Sequence, residues 1–216
     1  TIHQTAKGHA FSYQRSGSAA SHWGPAEAQN LDLDAVSILH FSGITQAISD
    51  SCAQGCDILM ERAQSSNTKL AYDPNYRAQL WPLSAAQDAL ARVLAYGPIL
   101  LPGLDDARLL TGLADPAEIV QSFLHHGASI VAMTAGADGV YLGTATGIQQ
   151  ITGIHAQSVD ASGAGDCFDG AFLTRLAQGD TPLGAATFAN QAAAISVTKP
   201  GAALSIPKLA ELVRIP

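Results

Sequence analysis

The run Asp160-Ala161-Ser162-Gly163-Ala164-Gly165-Asp166-Cys167-Phe168 leads from a glycine-bearing loop straight into an apolar segment. Gly163 and Gly165 let the backbone approach a ligand closely, because no Cβ stands in the way. Ala164 to Gln178 reads as a helix. The loop therefore lies at a helix N-terminus, where unpaired N–H groups and the dipole favour an anion. Asp166 stands on the first turn, placed to accept a proton from a bound hydroxyl. The pattern predicts an anion-binding loop with a carboxylate. Loop composition alone fits equally a plain glycine-rich helix start whose acid complements the dipole. A P-loop is excluded, because the Gly-Lys-Ser/Thr ending is absent, and no G-x-G-x-x-G follows the first strand.

Outward from this loop, apolar strands and helices alternate. Strands are predicted at Gly8–Arg15, Val36–Phe41, Lys69–Tyr72, Ile99–Leu101, Ile130–Thr134 and, as a hairpin partner, Val140–Leu142. Helices are predicted at Ser49–Gln64, from a Ser84 cap to Leu94, at Asp105–Leu110, from Asp115-Pro116 to His126, and from Thr181-Pro182 to about Val197. Gly17 to Ser21 and Ser42-Gly43 read as loop and turn. Such alternation predicts an α/β fold with a mainly parallel sheet flanked by helices. Ligands of such sheets bind where strands end at their C-terminal side. The loops at Ser42-Gly43, Asp73–Arg77, Pro102–Asp106, Thr134–Gly139 and Gly163–Asp166 are therefore expected on one edge.

Composition narrows the function classes. The chain has 216 residues, 47% hydrophobic and only 13% charged, which predicts one compact core, a single domain over 1–216. Net charge is −7 with no basic patch, so nucleic acid and acidic membranes are not expected partners. No leader or spanning segment is visible, and the odd set Cys52, Cys56 and Cys167 suits a reducing compartment, so a cytoplasmic location is expected. Cys52 and Cys56 read as small buried residues rather than metal ligands, since no second Cys/His pair has zinc spacing. His125-His126 reads as surface at a helix C-terminus.

The loop resembles the second signature of the ribokinase-like (PfkB) carbohydrate kinases, written D-T-x-G-A-G-D-x-F. Tyr72-Asp73-Pro74-Asn75-Tyr76-Arg77, followed by Leu80-Trp81, is similar to the F-D-P-N-Y-R-x-x-L-W run of 2-keto-3-deoxygluconate kinases. Phe41-Ser42-Gly43-Ile44-Thr45 resembles their H-x-S-G-I segment. Tyr13-Gln14-Arg15 and Gly17-Ser18-Ala19-Ala20-Ser21 resemble their Y-x-R and S-A-A-S stretches. The likeness runs from about residue 9 to 207. Thr134-Ala135-Gly136-Ala137-Asp138-Gly139 resembles the family's nucleotide turn, although an ordinary hairpin turn has the same composition.

The resemblance implies a ribokinase-like fold, with residues 8–21 as the remnant of a β-lid, and an ATP-dependent kinase acting on the C6 hydroxyl of 2-keto-3-deoxygluconate or a similar acid sugar. Rivals are a kinase of the same fold for a neutral sugar or nucleoside, and a non-catalytic binding remnant. By the same implication Asp166 is the base, and the amides of Gly163, Ala164 and Gly165 form the anion hole. Tyr13, Arg15 and Arg77 hold the sugar acid, whose carboxylate suits arginine. Asn75, Tyr76, Arg77, Thr134, Gly136, Gly139, Gly163, Gly165 and Asn190 contact ATP. Asp106, standing for a family Glu, organises Mg²⁺ through water, and a monovalent cation such as K⁺ is a further implied ion. Departures are Ala161 for Thr, and Gly201-Ala202-Ala203-Leu204 where the family carries G-A-x-D. The G-G-x-x-x-N sugar signature is missing, so the chain is expected to be the C-terminal two-thirds of a kinase, with exposed sheet surface that favours a homo-oligomer.

Overall fold

The computed structural model describes residues 2–5, 8–11 and 17–212, with side chains from 17 onward. Two short strands, β1 (Ile2–Thr5) and β2 (Gly8–Phe11), pair antiparallel as a separate ribbon. The predicted Gly8–Arg15 strand is seen as β2. Tyr13 and Arg15 lie outside the described residues.

The main sheet has six strands in the order β3 (Ile38–Ser42), β4 (Lys69–Asp73), β5 (Ile99–Leu100), β6 (Ile130–Thr134), β7 (Val140–Thr144) and β8 (Gly147–Ile151). The first four pair parallel, and β6–β7–β8 pair antiparallel. Side chains alternate across a strand, so each strand feeds two cores. Leu70, Tyr72, Val131 and Met133 face one layer with Leu39, Phe41 and Leu100. Ala71, Ala132, Ile99 and Leu101 face the other.

The first face is covered by helices that connect successive parallel strands. These are α3 (Asp50–Ser65), α4 (Leu83–Leu94), α5 (Leu104–Thr111) and α6 (Pro116–His125), joined by the shorter α1 (Pro25–Asn30) and α2 (Gly43–Ile48). The second face is covered by α7 (Ala164–Ala177) and α8 (Pro182–Ser196). Phe168 and Phe172 of α7 stack with centroids 5.8 Å apart, and Ala185, Ala186 and Ala189 of α8 let the helix come close to them. A short α9 (Leu209–Leu212) follows.

Several predicted boundaries shift for local reasons. Ser49 Oγ accepts from the Cys52 amide and Asp115 from the Glu118 amide, as helix caps should. Ser84 is not a cap: it is inside α4, whose N-cap position is Pro82, with no side-chain cap bond. Gly43 does not end a turn but begins α2. The β8 strand was not foreseen. It is polar and exposed through Gln149 and Gln150, so it lacks the apolar pattern that marks a buried strand. Cys52, Cys56 and Cys167 are buried free thiols, and His125-His126 lies exposed at the end of α6, both as expected.

Candidate active site

The parallel strands finish together. Ser42 is in register with Asp73, the Leu101 amide donates to Tyr72 O, and the Thr134 amide donates to Pro102 O. The N-terminus of α7 closes on this edge. The result is a polar cavity of about 250 Å³ bounded by Asp73, Asn75, Arg77, Asp106, Asp166 and Asp169, together with the glycine loop. Thr134, Ala161 and Gly165 border it and also a second cavity of about 440 Å³. That second space is largely apolar, walled by Ala137, Ile154, Phe168, Ala193 and Val197, with Asn190 at its side. Of the loops expected together, those at 73–77, 102–106, 134–139 and 163–166 do meet here.

The glycine loop owes its shape to two features. Gly163 is the N-cap of α7 with φ 76°, a left-handed conformation, and a Cβ there would stand 2.9 Å from the Ala202 side chain. Asp160 accepts hydrogen bonds from the Ser162 amide at 2.9 Å and from the Gly201 amide at 2.9 Å. It thereby ties the loop to the segment that carries Gly201-Ala202-Ala203-Leu204. Ala164, named as an anion-hole amide, donates to Ala161 O at 3.2 Å, so its N–H is already engaged in the turn. The amides of Gly163, Gly165 and Asp166 make no such bond among the described residues, and with Asp166 exposed beside them they form an anion-ready end of α7.

The Asp73–Arg77 run is held by a different set of bonds. Asn75 has φ 37°, unusual outside glycine, and its amide donates to Asp73 Oδ1 at 3.0 Å. The Tyr76 amide donates to Asp106 Oδ2 at 3.0 Å, and Arg77 Nη1 stands 3.7 Å from the same oxygen. Asn75 and Arg77 border the polar cavity as expected. Tyr76 does not. Its side chain packs against the helix-covered core, and its amide is spent on Asp106. Asp106, expected to reach Mg²⁺ through water, sits at the cavity but has one oxygen committed to Tyr76 and Arg77. Among the described residues no group of three or more His, Cys, Asp or Glu side chains is arranged to hold a metal ion. One carboxylate is enough for magnesium that also rides on phosphates, so Asp106 fits that looser role.

On the apolar side, Thr134, Gly136 and Gly139 border the larger cavity, and Asn190 Nδ2 donates to Thr152 O at 2.9 Å. The turn is a hairpin as well as a cavity wall, with β6 and β7 antiparallel on its two sides.

Sequence reasoning missed two acids. Asp73 was quoted in its motif without a role, and Asp169 was passed over. Both are buried. Burial pushes the Asp73 carboxyl up to about 7. The Asn75 amide and Arg77 oppose this, while the charges of Asp106 and Asp166 add to it. Asp169 is raised well above the carboxylate range by burial and then by Asp73 and Asp166, and Asp106 is raised by burial against the pull of Arg77 and the Tyr76 amide. The signal for Asp169 was available. It lies three residues after Asp166, hence on the same helix face, within an otherwise apolar stretch.

These raised acids predict the pH dependence of folding. The folded chain holds their protons more tightly than the unfolded chain, so their stabilisation is complete below about pH 4 and is lost as pH rises through the folded values. For Asp73 the window closes near 7. Urea unfolding at about pH 5.5 should exceed that at about pH 8 by roughly 2 kcal/mol from this residue alone. A midpoint that is flat or rises over this interval contradicts it.

Comparison with known proteins agrees with the geometry. The model of the pfkB family carbohydrate kinases matches residues 1–209. A 2-dehydro-3-deoxygluconokinase of Thermoproteus tenax is 32% identical over 203 residues, 92% of this chain and 61% of that protein. Probable fructokinase-5 of Arabidopsis thaliana is 30% identical over 187 residues, 82% of this chain and 57% of that protein. The crystal structure of a PfkB protein from Polaromonas sp. JS666 superposes with a TM-score of 0.85 at 27% identity, over 99% of this chain and 69% of that one. The chain thus spans about three fifths of the length of these two curated relatives.

Proposed function

Because the chain belongs to the pfkB family of carbohydrate kinases, we propose that the protein transfers the γ-phosphoryl group of ATP to the C6 hydroxyl of 2-keto-3-deoxygluconate or a closely similar acid sugar. The observation that carries this reading is the exposed Asp166 carboxylate beside the unspent amides of Gly163, Gly165 and Asp166, at the junction of a polar and an apolar cavity. The apolar cavity suits an adenine ring, with Asn190 and the Thr134–Gly139 turn at its border. The polar cavity takes the reacting hydroxyl and the phosphate.

Asp166 accepts the hydroxyl proton as the oxygen forms its bond to the γ-phosphorus. The bond from that phosphorus to the bridging oxygen breaks, and ADP leaves. The free amides receive the negative charge spread over the transferring group. Magnesium, when bound, offsets the charge of the β- and γ-phosphates, and Asp106 is placed to hold it through water. Arg77 lies at the acceptor cavity and, in this reading, draws the sugar carboxylate together with Arg15 and Tyr13.

Two relatives support different substrates. The Thermoproteus tenax protein is a 2-dehydro-3-deoxygluconokinase and the Arabidopsis thaliana protein a probable fructokinase. A neutral-sugar reading is favoured by the pairing of Arg77 with Asp106, which leaves its guanidinium less free for a carboxylate. A coupled ADP-release assay separates them, using 2-keto-3-deoxygluconate, its galactonate epimer, fructose and ribose. The acid-sugar reading expects Arg77→Ala to lower kcat/KM for the acid sugars by roughly 10- to 100-fold, the worth of one charge-assisted contact. Equal turnover of fructose and no acid-sugar-specific loss would establish the neutral reading. Nucleotide binding with no turnover of any sugar would establish a binding remnant.

A further inference from the structure

We propose that Asp169 serves this site as a neutral carboxylic acid: a positioning residue that keeps its proton and, with Asp73, limits the negative charge behind Asp166 so that a phosphoryl group can approach. The kinetic arm of this proposal rests on the kinase reading, and its protonation arm does not.

The geometry leaves little alternative. Asp169 is 5% exposed, borders the polar cavity, and has no hydrogen-bond donor or cation as partner among the described residues. An ionised carboxylate in that position would be largely withdrawn from water with no donor or cation among the described residues to offset its charge, a cost relieved by taking up a proton. Its surroundings deepen the effect. Asp166 lies one turn earlier on α7, and Asp73 stands at the end of β4. Beyond them are Asp106 of α5, with Arg77 turned to it, and His40 of β3, whose imidazole is pushed down by burial against the opposing pull of the Ala71 backbone and the Asp166 charge. The facing helix α8 carries no ionisable side chain. The nearest charges are therefore both carboxylates, and both raise the affinity of Asp169 for its proton, after burial itself.

The chemical consequence is a limit on charge. Among the described residues the polar cavity holds Asp73, Asp106, Asp166 and Asp169 with Arg77 as the one cation. Incoming ATP adds several negative charges to the same space. A site with every acid ionised would repel the group it must bind. With Asp169 neutral, no second charge stands one turn behind Asp166 on α7. Two acids with different tasks are thus separated by burial alone, one exposed and one enclosed. Loss of the Asp169 proton at high pH places a second charge one helical turn from the base and weakens phosphate binding.

Two measurements test this on the same chain. In protein carrying ¹³C-labelled aspartate carboxyls, one carboxyl resonance should remain protonated at about pH 7.5 and vanish in Asp169→Asn. Wild-type protein in which every aspartate is ionised by about pH 6 overturns the proposal, whether or not any sugar is phosphorylated. In the ADP-release assay, Asp169→Asn keeps the shape and neutrality of the acid. Its kcat/KM should persist to higher pH than wild type and exceed wild type on the alkaline side, while Asp169→Ala loses about 10-fold or more throughout. An Asn variant whose pH profile runs parallel to wild type at a lower level also overturns it. A protonated carboxyl in a chain that phosphorylates nothing would remove the kinase reading and leave the assignment of the proton intact.

Discussion

Asp166→Asn should reduce kcat by about 10²- to 10⁴-fold, the usual worth of a general base, while ATP affinity changes little. The asparagine has the same size and still accepts a hydrogen bond from the hydroxyl, but it takes no proton. Its backbone amide remains, so the anion-binding end of α7 is retained. Asp166 is exposed, and no buried partner is orphaned by the exchange, so folding should be unaffected. Steady-state kinetics together with calorimetric ATP titration make the check. A variant with wild-type kcat would remove Asp166 from the base role, and a variant that neither folds nor binds nucleotide would show that its part is structural.

Gly139→Ala is expected to have the largest effect on stability and on nucleotide binding together. Gly139 has φ 93°, and a Cβ on it would lie 2.1 Å from Ile151 O and 2.4 Å from the Gly153 amide nitrogen. Both are backbone atoms of the strand and turn that meet the hairpin, so neither can swing aside. The forced φ and the displaced backbone each cost about 1–3 kcal/mol, for a total of roughly 2–6 kcal/mol. Gly136, at the other end of the same turn, separates the two causes. It has φ 56° with open space around it, so Gly136→Ala should cost only about 1 kcal/mol. Melting temperatures and ATP titrations of the two variants should differ sharply. Equal effects would mean that the Ile151–Gly153 contact has no consequence.

Much of the fold was legible because burial imposes periodicity. Leu70, Ala71 and Tyr72 form a continuous apolar run because β4 is covered on both faces, and such runs stand out. The β8 strand was illegible for the converse reason, since one exposed polar strand looks like any loop. At the site, residues whose role depends on the chain's own backbone were readable, such as Gly163 with its left-handed turn. Residues whose role depends on what stands opposite were not. Ala164 was grouped with its neighbours because no spacing rule reveals that its amide turns back to Ala161. Tyr76 was grouped with Arg77 because adjacency in a motif says nothing about which face each residue takes. Asp169 left a spacing signal on α7, but its character comes from burial first and then from Asp73, which is remote in sequence and adjacent only after β4 and α7 have packed.

Among the described residues, those bordering the larger cavity fall between Thr134 and Val197, whereas the polar cavity also draws on Asp73 to Asp106. The apolar cavity is therefore encoded in one uninterrupted stretch, and the polar cavity is assembled from distant ones. Changes upstream of Thr134 can reshape the polar cavity without altering a wall of the apolar one. A lineage built this way can remodel its polar cavity through scattered substitutions while the apolar one is inherited as a single block.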